Sequence, residues 1–150
     1  VAAKTDKLLD IGLLILRIGL GLVVLYYGLQ KGFGAFNGNG FQGQLDVWEA
    51  QRHIPKWLGV LAIISEFAGS IGVIFGLFTR IAAFGIACSM ATAAFLGASR
   101  AGALAGLWDG DKMVPPTVLY PLALAFMAAA LVFTGAGAFS LDRKVFKRGK

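Results

Sequence analysis

Four apolar segments dominate this chain, each long enough to cross a bilayer as a helix: Leu8–Leu29, Trp57–Phe78, Arg80–Ala98 and Thr117–Gly135. A helix rises about 1.5 Å per residue, so roughly 20 residues span the hydrocarbon core. Backbone polar groups inside hydrocarbon need partners within the segment, and a helix supplies them. The fold class that follows is all-α: an integral membrane four-helix bundle, one transmembrane domain over residues 1–150. Composition agrees, since 15% charged residues falls well below the quarter usual in soluble domains. The first run follows Lys4 and Lys7 as a signal peptide would. It is longer than an ordinary signal core, however, and ends in Tyr26-Tyr27-Gly28 without a small-residue cleavage pattern. It therefore reads as a retained span.

The connections differ in kind. Gly32 to Gly40 is too glycine-rich to stay helical. Beyond it, Phe41, Leu45 and Trp48 recur at helical spacing among Gln42, Gln44, Asp46, Glu49 and Gln51. That pattern predicts a short amphipathic helix in the first external loop, lying either on the membrane surface or over the mouth of the bundle. Pro55 then opens the second span. Gly76 to Arg80 allows only a tight hairpin, which makes the second and third spans antiparallel neighbours. Ser99–Pro116, with Asp109, Asp111 and Pro115-Pro116, reads as a mainly non-helical loop. Rows of small residues, Ala68/Gly72/Gly76 and Gly85/Ser89/Ala93/Gly97, predict close helix packing.

Basic residues set the expected topology. Lys4, Lys7, Arg80, Arg143, Lys144, Lys147, Arg148 and Lys150 fall on one side, and Lys31, Arg52, Lys56, Arg100 and Lys112 on the other. The positive-inside rule then places both termini in the cytoplasm and the chain in the inner (plasma) membrane. The basic tail, residues 143–150, would rest on anionic headgroups. This distribution accounts for the net charge of +6 without a nucleic-acid partner. The lone Cys88 and lone His53 exclude an intramolecular disulfide and bis-His haem ligation, and no haem, flavin or iron–sulfur motif is present.

Two charges stand deep inside the spans, Arg17 and Glu66. An ionised side chain at a helix centre costs roughly 2.5–3.5 kcal/mol on insertion scales, so each needs a partner or a purpose. Counted from the same membrane face, Arg17 lies ~13 Å deep and Glu66 ~18 Å. Similar depth predicts an ion pair between them. Such a pair would either hold two helices in register or line a cavity for a polar headgroup or a proton. Tyr26, Tyr27 and Lys31 would stand near the outer end of the first span, either closing a pocket or as ordinary interfacial residues.

Several runs resemble a known family. Leu16-Arg17-Ile18-Gly19, Tyr27-Gly28-Leu29-Gln30-Lys31, Ser65-Glu66-Phe67-Ala68-Gly69, Phe75-Gly76-Leu77-Phe78-Thr79-Arg80 and Gly135-Ala136-Gly137-Ala138-Phe139-Ser140-Leu141-Asp142 look like the DoxX family of small four-helix membrane proteins. The resemblance runs through nearly the whole chain. It implies a role beside membrane redox chemistry, since the family is similar to the DoxD subunit of thiosulfate:quinone oxidoreductase. It also points to Arg17, Lys31, Glu66, Arg80 and Asp142 as site residues. Many relatives carry histidine where this chain has Tyr27. The resulting expectation is a subunit of a quinone-linked complex, in contact with protein partners or further copies of itself. Arg17 and Glu66 would do the chemistry, quinone would be the cofactor, and Tyr27, Lys31, Arg80 and Asp142 would bind ligand. A non-catalytic accessory subunit is the alternative.

Overall fold

The computed structural model describes residues 2–100 and 116–146. The expected loop residues Asp109 and Asp111, and the end of the basic tail from Lys147, lie outside them. Helix α1 spans Ala2–Phe33. A short 3-10 turn at Ala35–Asn37 leads to α2, Gly40–Arg52. Then come α3, Lys56–Phe75, α4, Thr79–Arg100, α5, Pro116–Thr134, and α6, Leu141–Phe146. Four of these are long and apolar enough to cross a membrane: the Lys7–Phe33 part of α1, α3, the Thr79–Ser99 part of α4, and α5. The protein is an all-α, multi-pass membrane bundle.

Helix α1 packs chiefly on α3, α3 on α4, and α4 most extensively on α5, whereas α1 and α5 touch sparingly. The core between them holds Leu20, Val24, Val73, Ile86, Ala128 and Leu131. One end of the bundle, here the terminal end, carries the α1 N-terminus, the α3–α4 hairpin and the segment from Gly135 to α6. The opposite, loop end carries α2.

Close approach is the rule where small residues meet. A Cβ on Gly85 would stand 3.0 Å from Ser65 Cβ, and one on Gly97 2.9 Å from the Thr117 carbonyl oxygen. Pro121, one turn on in α5, has no N–H for that carbonyl. Of the expected row on α3, Gly72 does meet α4, where a Cβ would stand 3.2 Å from the Ala82 Cβ. Ala68 is exposed, while Gly69 faces the Ala82 carbonyl and Ile86 of α4.

Helix α2 resolves the two placements open to it. Leu45 and Trp48 are buried with Ile63 of α3, so the helix lies over the bundle mouth, leaving Phe41 exposed. Lys56 pairs with Asp46 and Glu49 at 3.1 and 3.3 Å. These ions are half exposed and add little to stability.

Candidate functional site

Arg17 and Glu66 are both buried, each 1% exposed, yet they do not pair with each other. Helical side chains lean toward their own N-terminus. On α1 this tips Arg17 toward the terminal end. On the antiparallel α3 it tips Glu66 the other way. Depth along the helix axis places the two close, and side-chain direction separates them.

At the terminal end Arg17 is spent on backbone carbonyls. Its Nε donates to Val73 at 2.9 Å and its Nη2 to Ile74 at 2.9 Å. Its Nη1 donates to Ala136 at 2.7 Å and Phe139 at 2.8 Å. The carbonyls of Val73 and Ile74 belong to the last turn of α3, where a cation also complements the helix dipole. Gly76 closes that turn with φ of 70°, a conformation glycine adopts freely. A Cβ there would stand 2.5 Å from Arg17 Nη2. Asp142 accepts from Phe78 N at 2.7 Å and Thr79 N at 2.9 Å, capping α4. Asp10 Oδ1 accepts from Ala138 N at 2.7 Å. These bonds tie the segment after α5 to α1, α3 and α4. Arg80 is exposed and makes one long bond, 3.3 Å, to the Phe133 carbonyl.

At the loop end Glu66 meets Lys31. Lys31 Nζ stands 2.7 Å from Oε1 and 2.6 Å from Oε2. Ser89 Oγ of α4 donates to Oε1 at 2.8 Å. The carboxylate thus joins three helices. The α1–α3 approach that permits this is set by Gly28, one turn before Lys31. A Cβ on Gly28 would lie 2.8 Å from Phe67 Cα and 2.9 Å from Phe67 N. Lys31 itself is 18% exposed at its side chain, and its Nζ stands 5.9 Å from the Tyr27 ring centroid and 5.5 Å from that of Trp48. The Tyr27 ring lies 6.1 Å from that of Tyr120 on α5. An ammonium carries three donors. Two go to Glu66, and among the described residues no acceptor takes the third.

The structure therefore gathers Glu66, Lys31 and Tyr27 into one cluster beside aromatic rings and places Arg17, Arg80 and Asp142 at the far end. Ser89, Trp48 and Tyr120 complete the cluster without having been singled out by sequence as site residues. Ser89 sits in a row of small residues that reads as packing. Trp48 reaches Lys31 only because α2 folds back over the mouth. Among the described residues no cluster of His, Cys, Asp and Glu fit for a metal is present.

Comparison with known proteins adds the family. A Haemophilus influenzae protein described as uncharacterized is 37% identical over 91 residues, which is 59% of this chain and 63% of that protein. No solved structure matches. The DoxX family model matches residues 12–99, which include Arg17, Lys31, Glu66 and Ser89. With the membrane bundle those residues build, that match identifies the chain as a member of the DoxX family.

Proposed function

We propose that this protein is an integral membrane subunit of a quinone-linked redox complex, and that the loop-end Lys31–Glu66 cluster is where it handles a quinone headgroup or a proton. The observation that supports this most is the buried Glu66 carboxylate joined to a lysine that reaches the partly exposed mouth. Glu66 holds or releases a proton, and Lys31 links it to the mouth. The donor set fits a planar, oxygen-bearing headgroup. The third N–H of Lys31 would point a donor at a ring oxygen, with Tyr27 and Trp48 as flanking walls. Bound quinone would supply the two-electron, two-proton chemistry; this chain would bind and orient it and move protons. Electrons would come from a partner protein. Arg17 and Asp142, which the resemblance suggests as site residues, serve as clamps of the fold in this reading. The basic residues favour both termini in the cytoplasm of a cell whose inner membrane holds the complex.

Glu66→Gln in native membranes tests the proposal. It keeps the shape, leaves an acceptor for Lys31 and removes the titrating group. Quinone reduction, followed by absorbance, is expected to fall about a hundredfold or more at equal protein level, the range of acid–base catalysis. Unchanged turnover rejects the role. A second reading, a non-catalytic brace, draws on the same carboxylate being shared by α1, α3 and α4. It predicts normal turnover in Glu66→Gln together with loss of the assembled complex when Lys31 and Glu66 are both made apolar.

A further inference from the structure

At the terminal end, a cleft of about 570 Å3 opens between the start of α4 and the segment after α5. Thr79, Arg80 and Arg143 line it together with the backbone from Gly135 to Gly137. Three observations converge there. Arg80 and Arg143 are both exposed, and among the described residues neither is paired with a carboxylate. Asp142, the acid in the lining, has its two oxygens committed to the N–H groups of Phe78 and Thr79. Thr79 is fully buried, and its Oγ1 has no hydrogen-bond partner among the described residues. Behind the cleft lies the buried Arg17 guanidinium, hydrogen-bonded only to carbonyls of this segment and of α3. Positive charge therefore exceeds negative charge around an opening that also holds an unsatisfied hydroxyl donor.

We propose that this cleft binds a phosphate group, presented as the headgroup of an anionic phospholipid. Guanidinium forks match phosphate oxygens in geometry as well as charge. Thr79 supplies a neutral donor that a phosphate oxygen satisfies. The lipid source follows from the surroundings: Ile81, which lines the cleft, and Phe133, at the foot of α5, are 72% and 81% exposed. They offer acyl chains a path away from the headgroup. A free phosphate carries the same group, so the test separates the two sources.

The full chain in nonionic detergent would be titrated with phosphatidylglycerol or phosphatidylcholine, and bound lipid counted by native mass spectrometry. Preferential retention of phosphatidylglycerol is expected. Arg80→Gln combined with Arg143→Gln should weaken it by about fivefold for each arginine removed. Displacement of the lipid by excess inorganic phosphate supports the phosphate site and assigns it a soluble occupant. Equal retention of the two lipids without phosphate binding overturns the proposal, as does unchanged retention in the double variant. Should that variant not fold, Thr79→Val serves instead. It removes a buried unpaired hydroxyl, so Tm should hold or rise while phosphatidylglycerol affinity falls at least about twofold. Affinity unchanged in Thr79→Val then counts against the proposal.

Discussion

The charged residues inside the spans have unequal partners, and that difference decides what each can do. Arg17 gives four hydrogen bonds to carbonyls, a set lysine cannot reproduce. Glu66 is held by a lysine and a serine, a set that leaves a route to the mouth. Sequence makes it plain that both residues are out of place in hydrocarbon. It does not show their partners, because equal depth pairs Arg17 with Glu66 whereas the lean of each side chain pairs Glu66 with Lys31. A pair of double-mutant cycles distinguishes these directly. Lys31→Met alone strands a buried carboxylate and should cost about 3–5 kcal/mol. Adding Glu66→Leu should recover much of that loss. Arg17→Met and Glu66→Leu share no partner, so their effects should add within about 0.5 kcal/mol. Unfolding in mixed micelles measures both cycles, and strong coupling between Arg17 and Glu66 would contradict the partners described above.

At the scale of the helix, backbone approach matters more than side-chain size. The spans and the hairpin at Gly76 can be read from hydropathy and glycine placement to within a few residues, because length and solvation dictate them. The facing residues are harder to read. Ala68 and Gly69 are both small neighbours on α3, and only the phase of the helix against α4 selects Gly69. Gly28 shows what such a contact controls. Its missing Cβ lets the α1 and α3 backbones touch one turn from the Lys31–Glu66 bond. Gly28→Ala puts a methyl against the backbone of Phe67, where no flexible side chain can yield. A loss of about 1–3 kcal/mol is expected. Gly19→Ala is the control, since nothing lies within 4 Å of a Cβ there and alanine favours helix by about 1 kcal/mol. Thermal melts in detergent should rank Gly19→Ala at or above the parent and Gly28→Ala well below it. An equal ranking would mean that the approach is not tight in the membrane.

For the whole molecule, the two ends are locked by separate devices. The terminal end depends on Arg17 and Asp10 binding the chain after α5 and on Asp142 of that chain capping α4, and the loop end on the Lys31–Glu66–Ser89 cluster under α2. Little direct packing joins α1 to α5, so at the terminal end Asp10 and Arg17 connect α1 to the chain that leaves α5. This arrangement makes local opening at one end separable from the other, as expected when stability is distributed in units. Arg17→Met removes the donors for Val73, Ile74, Ala136 and Phe139 at once. Hydrogen–deuterium exchange of the variant in nanodiscs should therefore speed up at residues 73–79 and 135–142. The amides around Lys31 and Glu66 should keep their protection. Faster exchange spread evenly along all four spans would mean instead that the bundle opens as one unit, and that the loop-end cluster relies on the arginine clamp for its shape. Selective opening would leave the Lys31–Glu66–Ser89 cluster formed in the variant, as expected of a clamp that acts at one end alone.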